Sequence, residues 1–125
     1  MIAYDALKAH RFEPVYHTYT ARDCLLYALG LNIGADPLDE AALQYVADDP
    51  PRPVLTMPMN LARVGAWMRE PEVGIDYTRI MVGEVALRLH APLLAEGTVC
   101  GNHRVVRVTD KGEGRGALVT TQRDL

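Results

Sequence analysis

The C-terminal third of the chain carries the pattern that decides the fold. Residues 82–93 read VGEVALRLHAPL, residues 97–110 form a second long segment, and residues 110–116 read DKGEGRG. In the first segment Val85, Leu87 and Leu89 alternate with Ala86, Arg88 and His90, which is the period of a half-buried strand. The glycine-rich run accepts positive φ and predicts a turn. Together these features predict a meander of antiparallel strands.

The residues before this meander carry helical patterns. Thr20 is a suitable N-cap, Asp23 stands at the third helical position, and Gly30 follows an apolar stripe as a helix stop. The alternating residues 16–19 predict a short extended entry to this helix. Helices followed by antiparallel strands define an α+β domain.

Two further helices are predicted before the meander. Asp36-Pro37 marks the start of one, with the aspartate as cap and the proline at the first helical position. Another is predicted from about Thr56 to Met68 by its apolar residues, and Pro58 is tolerated there because it falls in the first turn. We expect this third helix to lie centrally against a curved sheet.

Composition narrows the class of protein. A chain of 125 residues fits one domain, 1–125, and 49% apolar residues is normal for a globular protein. A net charge of −3 without a basic cluster argues against nucleic-acid binding, and no apolar run is long enough for a membrane span. Cys24 and Cys100 lack metal-type spacing, so we expect reduced thiols in a cytoplasmic protein.

The residues alone give no catalytic constellation. None of the four histidines lies in a metal-binding motif, and no Gly-x-Ser-x-Gly elbow occurs. The glycines at 112, 114 and 116 lie between strands and open no helix, so they predict a hairpin turn and not a dinucleotide site. No catalytic residue, metal site or cofactor is therefore predicted.

The order of several short motifs resembles one family. Residues 19–30 are similar to its Y-T-x-R-D-x-x-x-Y-A-L-G pattern, and residues 108–114 carry its D-K-G-x-G hairpin. Further matching segments are 36–40, 55–57, 74–76, 82–84 and 88–93. The chain as a whole resembles the N-terminal hot-dog domain of MaoC-like dehydratases, the enoyl-CoA hydratase 2 family.

The resemblance implies a fold and an activity. The fold is a long central helix wrapped by an antiparallel sheet, with two hot-dog units side by side in one chain, a homodimer or a heterodimer. The activity is reversible hydration of a trans-2-enoyl-CoA to the (3R)-hydroxyacyl-CoA. The family's catalytic Asp and His lie in a G-D-x-N-P-x-H motif of the second unit, which is missing from this sequence.

The resemblance also implies binding residues for an acyl-CoA thioester. The first unit supplies a tunnel for the acyl tail beside the central helix, and contacts to CoA from the segment Val82-Gly83-Glu84 and from Lys111. Gly83 and Lys111 are the strongest candidates. Val82 departs from the family's histidine and Val85 from its glutamine, which removes two polar groups from this contact.

The length is a second departure. The family's first unit has one more strand after the Gly116 strand, and then a linker to the second unit. We expect either a truncated form or a sheet completed by another polypeptide, because an unpaired sheet edge favours a partner.

The sequence leaves three candidate functions. The first is a non-catalytic, acyl-CoA-binding unit of an (R)-specific enoyl-CoA hydratase. The second is a stand-alone acyl-CoA-binding or structural subunit without enzymatic activity. The third, a hot-dog thioesterase, needs an acidic residue on the central helix, and residues 56–68 contain none.

Overall fold

The computed structural model describes residues 2–125. Helices α1, α2 and α3 span Tyr4–Ala9, Ala21–Gly30 and Glu40–Val46, and strands β1, β2 and β3 span Val15–Tyr19, Gly97–Asp110 and Ala117–Asp124. Short 3-10 helices lie at Met57–Asn60, Trp67–Arg69, Pro71–Val73 and Tyr77–Arg79.

The strands form an open sheet in the order β1-β2-β3. The α+β class is confirmed. In the range 2–125, every helix falls short of the length and apolarity that crossing a membrane demands.

The structure contains two compact units. The middle unit consists of Tyr16–Ala62 and Ala86–Cys100. The terminal unit consists of the residues up to Val15, with Arg63–Val85 and Gly101–Leu125. Each unit has its own packed residues and its own surface groove.

In the middle unit, α2 begins where the sequence predicts. The Asp23 carboxylate accepts hydrogen bonds from the backbone amide and the hydroxyl of Thr20, at 2.8 and 2.9 Å. These bonds form a capping box that satisfies polar groups at the helix start. The helix ends at Gly30. Both predicted boundaries are therefore confirmed.

The next helix, α3, begins three residues later than predicted. Asp36 accepts a 2.9 Å bond from the amide of Leu38 and forms a turn, not a helix cap. The cap of α3 is Asp39, whose side chain accepts from the amides of Ala41 and Ala42. Two aspartates of similar capping ability lie three residues apart, and the structure uses the second.

The core of the middle unit joins β1, α2 and the following loop. Tyr19, Cys24, Met57 and Leu61 form its buried cluster. Two buried polar groups find backbone acceptors, since the Tyr19 hydroxyl donates to Leu94 O at 2.8 Å and the Cys24 thiol to Ala95 O at 3.2 Å. The core therefore buries polar atoms without leaving them unsatisfied.

The predicted central helix over Thr56–Met68 is wrong. Its first part is a single 3-10 turn, Met57–Asn60, and its last part belongs to the separate turn Trp67–Arg69. Between them Leu61 is extended and Ala62 has a φ of 45°, which no α-helix accommodates. A long central helix is therefore not present in residues 2–125, where α2 is the longest helix at 10 residues. Because residues 56–68 do not form this helix, their lack of an acidic residue no longer argues against a thioesterase.

The terminal unit begins with α1, which the sequence analysis did not predict. The side chain of Leu7 in this helix is fully buried, and the backbone amide of Ala3 donates a hydrogen bond to Val73 O at 3.1 Å. Val73 is itself buried in the 3-10 turn Pro71–Val73. A helix of six residues is too short to show a clear apolar periodicity. Packing against this turn, and not the local sequence pattern, therefore stabilises α1.

The hairpin of β2 and β3 matches its prediction. The strands pair antiparallel from Asn102↔Asp124 to Asp110↔Ala117, with a bulge between Val105 and Arg107. The turn glycines at 112, 114 and 116 all have positive φ, from 71° to 94°. Such angles are free of steric cost only in glycine, which explains the glycine spacing.

The strand predicted over residues 85–90 does not form. The segment lies between the last 3-10 turn and β2, has no regular structure, and is exposed throughout. Val85, Leu87 and Leu89 keep 59, 43 and 39% of their surface exposed. Alternation of apolar and polar residues shows that a segment could fit the surface of a sheet. A strand forms only if a neighbouring strand pairs with it, and residues 2–125 supply no such neighbour for residues 85–90.

Candidate functional site

Lys111 lies at the start of the β2–β3 turn in the terminal unit. Its backbone amide donates to Gly116 O at 3.1 Å, and the neighbouring Asp110 carboxylate accepts from the amide of Gly112 at 2.8 Å. Asp110 also bonds the side chain of Tyr4, and burial together with this bond raises the pKa of Tyr4. The lysine side chain is exposed. The turn therefore holds the backbone in place and leaves the ammonium group open to an anion.

The segment Val82-Gly83-Glu84 also lies in the terminal unit, in extended and exposed chain. Val82 keeps 79% of its surface exposed, and a Cβ at Gly83 would meet no atom within 4 Å. Across residues 2–125, no hydrogen bond or ion pair joins this segment to Lys111. The structure presents the four predicted residues as two separate exposed positions and does not assemble them into one pocket.

The middle unit contains a groove of about 350 Å³ beside α2. Its apolar walls come from the buried core and from an exposed face of the helix. The lining residues are His17, Tyr19, Asp23, Leu26, Tyr27, Met57, Asn60 and Leu61. The Tyr27 hydroxyl donates a 2.9 Å hydrogen bond to Thr56 Oγ1, so the polar end of this side chain has a hydrogen-bond partner. The groove is therefore lined mainly by apolar and aromatic side chains.

A histidine and an aspartate line this groove, and each accepts hydrogen bonds from the backbone. His17 Nδ1 accepts a 3.0 Å bond from the amide of Ala62, which places the proton of the neutral ring on Nε2. The backbone and hydroxyl bonds from Thr20 are the main causes that lower the pKa of Asp23, with a smaller contribution from His17. A carboxyl with a lowered pKa is a poor proton donor near neutral pH. Both groups therefore contribute to the fold through these hydrogen bonds.

A second groove, of about 620 Å³, lies in the terminal unit. Three half-buried rings stand at its wall, those of His10, Phe12 and Trp67. Four charged residues also line it: Arg11, Glu13, Arg63 and Glu70. No sequence pattern predicts this groove, because its residues come from two separate stretches of the chain and share no motif.

The described part of the chain offers no metal site. Over residues 2–125, no group of three or more His, Cys, Asp or Glu side chains could hold a metal ion. Cys24 and Cys100 are both free thiols.

Comparison with models of known protein families shows which family the chain belongs to. The family model for the MFE-2 hydratase 2 N-terminal domain matches residues 17–124. The chain belongs to this family. The match covers α2, the predicted hairpin and both predicted binding segments, so the MaoC-like hot-dog resemblance is confirmed. As an MFE-2 hydratase 2 N-terminal domain, it has a mixed helix and antiparallel open sheet consistent with a hot-dog fold.

Two curated relatives come from Mycobacterium tuberculosis. One, "Enoyl-CoA hydratase ChsH3", is 29% identical over 114 residues, covering 87% of this chain and 40% of the relative. The other, "3-hydroxyacyl-thioester dehydratase Y", is 32% identical over 113 residues, covering 86% of this chain and 36% of the relative. This domain therefore spans about two fifths of the length of the curated relatives it matches.

Proposed function

We propose that the chain is the acyl-CoA-binding, non-catalytic hot-dog unit of an (R)-specific 2-enoyl-CoA hydratase, or of the corresponding 3-hydroxyacyl-CoA dehydratase. The observation that carries this proposal is a family match over residues 17–124 in a sequence without the G-D-x-N-P-x-H motif. The hydrogen bonds that His17 Nδ1 and the Asp23 carboxylate accept are consistent with this proposal, because both groups hold backbone in place.

The chemistry requires a second unit. Hydration deprotonates a water and protonates the α-carbon, which needs two positioned acid–base groups, and amide donors stabilise the enolate oxygen as charge develops. We assign both tasks to a second hot-dog unit that carries the motif. It can belong to a longer form of the same chain, to a homodimer or to a heterodimer.

Lys111 is the proposed contact to the phosphates of CoA. Its exposed ammonium is a compact point charge on a turn whose backbone is fixed by hydrogen bonds. Gly83 is the proposed close backbone approach, because it carries no side chain at an open position. Val82 and Glu84 flank it, and Val82 offers apolar contact where the family places a histidine.

The acyl tail is assigned to the groove beside α2. Leu26, Tyr27 and Met57 give this groove an apolar wall, and Leu26 is 53% exposed, so a bound chain would cover it. Burying apolar surface supplies about 25 cal/mol per Å². An acyl chain of a few carbons would therefore add measurably to the affinity.

Exposed apolar residues support a protein partner. Met81, Val82, Val85 and Leu94, which lie in or near the alternating residues 85–90, keep between 59 and 90% of their surface exposed. Such exposure on one segment favours association with another protein. We propose that residues 1–125 form one hot-dog unit that pairs with the catalytic unit, in the cytoplasm, where both thiols stay reduced.

Titration calorimetry with crotonyl-CoA tests the binding function. We expect saturable binding to the wild-type chain and weaker binding to Lys111→Gln. Lys8→Gln is the matched control, because Lys8 is the only other lysine of the chain and lies in the last turn of α1. The proposal fails if crotonyl-CoA does not bind, and the role of Lys111 fails if both variants bind alike.

The stand-alone subunit is the second candidate, favoured by the exposed but unassembled binding residues. A pull-down with the chain as bait separates the two. Co-purification of a chain with the G-D-x-N-P-x-H motif supports the hydratase unit. Acyl-CoA binding with no such chain supports the stand-alone subunit.

A further inference from the structure

The N-terminal segment, residues 3–12, contacts two parts of the terminal unit that are far apart in the sequence. Its helix α1 packs on the 3-10 turn Pro71–Val73, and its one buried side chain is that of Leu7. The backbone amide of Ala3 donates a 3.1 Å hydrogen bond to Val73 O at the same place. The first half of the segment is therefore fixed to this turn.

The second half of the segment is held by aromatic rings. Phe12 lies edge-on to Trp67, with 5.0 Å between the ring centroids, and 5.9 Å from the ring of His103 in β2. The ring of His10 is 4.5 Å from that of Phe12 and 4.8 Å from that of Trp67, and its Nδ1 is 3.8 Å from a Glu70 carboxylate oxygen. Ring pairs at these distances attract each other. The rings therefore join the segment to strand β2 as well as to the 3-10 turns.

Tyr4, the first residue of α1, connects the segment to the turn between β2 and β3. Its hydroxyl donates a hydrogen bond to the carboxylate of Asp110, the last residue of β2. The same carboxylate accepts a 2.8 Å bond from the amide of Gly112. Hydrogen bonds to a charged acceptor are the stronger ones, so two donors together restrict how this carboxylate can turn. Asp110 and Gly112 are the two neighbours of Lys111, and Tyr4 thus supports the backbone on both sides of the lysine.

We propose that Tyr4 is a positioning residue for Lys111, and that residues 3–12 form a strap which holds the β2–β3 turn in place for the phosphates of acyl-CoA. The inference rests on the proposed function for the identity of the ligand. The turn contains glycines at 112, 114 and 116, and glycine has many accessible backbone conformations. Holding such a turn in one conformation before the ligand arrives lowers the entropic cost of binding.

Titration calorimetry with crotonyl-CoA on the full chain tests this role. Tyr4→Phe removes the hydroxyl and keeps the ring, and it should weaken binding by roughly 3- to 10-fold, since a hydrogen bond to a charged group is lost. The loss should vanish when Lys111→Gln is already present, because Tyr4 acts through the lysine. Tyr16→Phe is the matched control, since Tyr16 lies in the middle unit with 74% of its surface exposed.

Exchange of the Gly112 amide proton with water, followed by NMR, measures the strap without any ligand. Tyr4→Phe should speed this exchange by roughly threefold or more, because the Asp110 carboxylate that accepts from this amide loses its second donor. Tyr16→Phe should leave the exchange rate unchanged.

The outcomes separate this inference from the proposed function. If crotonyl-CoA binds to the wild type and Tyr4→Phe binds it equally well, the positioning role is overturned and the proposed function stands. Equal losses from Tyr4→Phe with and without Lys111→Gln would also overturn the role, because Tyr4 would then act elsewhere.

A chain that does not bind crotonyl-CoA at all would refute the proposed function, and the exchange measurement would then decide about the strap. Faster exchange at Gly112 in Tyr4→Phe would support the strap. Unchanged exchange would overturn it.

Discussion

His17 accepts a 3.0 Å hydrogen bond through Nδ1 from the backbone amide of Ala62. Ala62 is fully buried and has a φ of 45°, a conformation that an alanine rarely adopts. The bond ties β1 to the turn where the chain leaves the 3-10 helix Met57–Asn60. A side chain 45 residues away thus stabilises the irregular backbone that replaces the expected long helix.

Replacing this acceptor should destabilise the middle unit. His17→Phe keeps a ring but removes the acceptor for the Ala62 amide, and we expect the free energy of unfolding to fall by about 1–3 kcal/mol. Urea unfolding followed by circular dichroism measures the change. His90→Phe, at an exposed position, is the control and should unfold as the wild type does. Equal stability of His17→Phe and the wild type would show that the bond does not hold the turn.

The cap of α2 should make stability depend on pH. The bonds from Thr20 lower the pKa of Asp23 in the folded chain below its ordinary value of 3.8. The ionised carboxylate therefore stabilises the fold fully above that value, and this contribution is lost as the pH falls through the lowered folded pKa.

Asp23→Asn should consequently be less stable than the wild type near neutral pH, and the difference should shrink in acid. Unfolding measured at a series of pH values gives the comparison. Asp48→Asn, at an exposed site, should show no such convergence. A gap between Asp23→Asn and the wild type that stays constant into strong acid would refute the assignment.

The two thiols should differ in reactivity. Cys24 is fully buried, and burial raises its pKa, with a further rise from the negative charge of Asp23. Cys100 is partly exposed. Because the thiolate is the reactive form, iodoacetamide should modify Cys100 first and Cys24 only on unfolding. Mass spectrometry of the native chain detects the order, and early labelling of Cys24 would contradict the buried position.

The groove beside α2 can be tested with two exposed leucines of the same helix. Leu26 lines the groove and Leu29 does not. Leu26→Ser should weaken binding of a medium-chain acyl-CoA by about tenfold, the loss of roughly two buried methylene contacts, while leaving free CoA unaffected. Leu29→Ser should bind as the wild type does. Calorimetry compares the variants, and equal losses in both would place the acyl chain elsewhere.

Local signals explain the parts of the fold that the sequence predicts. The cap of α2 is made by Thr20 and Asp23, three residues apart, so a short window contains the whole signal. The hairpin turn depends on glycines at 112, 114 and 116 whose positive φ only glycine adopts freely. Both features were predicted with nearly correct boundaries.

The wrong predictions concern segments whose conformation depends on contacts with residues far away in the sequence. Residues 56–68 have helical periodicity, but the Ala62 amide bonds His17 and its φ ends the helix. Residues 85–90 have strand alternation without a neighbouring strand in the described chain. The groove at Phe12, Arg63 and Trp67 combines residues that no motif connects. A single sequence shows the secondary-structure preference of each segment, but it does not show which distant residues the segment contacts in the fold.

Hydration of crotonyl-CoA tests the central claim most directly. The measurement follows the loss of enoyl absorbance with the purified chain alone, and then with a hot-dog unit that carries the G-D-x-N-P-x-H motif. We predict no turnover by the chain alone and turnover in the mixture. Full hydratase activity from the chain alone would contradict the account, because it would place the acid–base groups within these 125 residues.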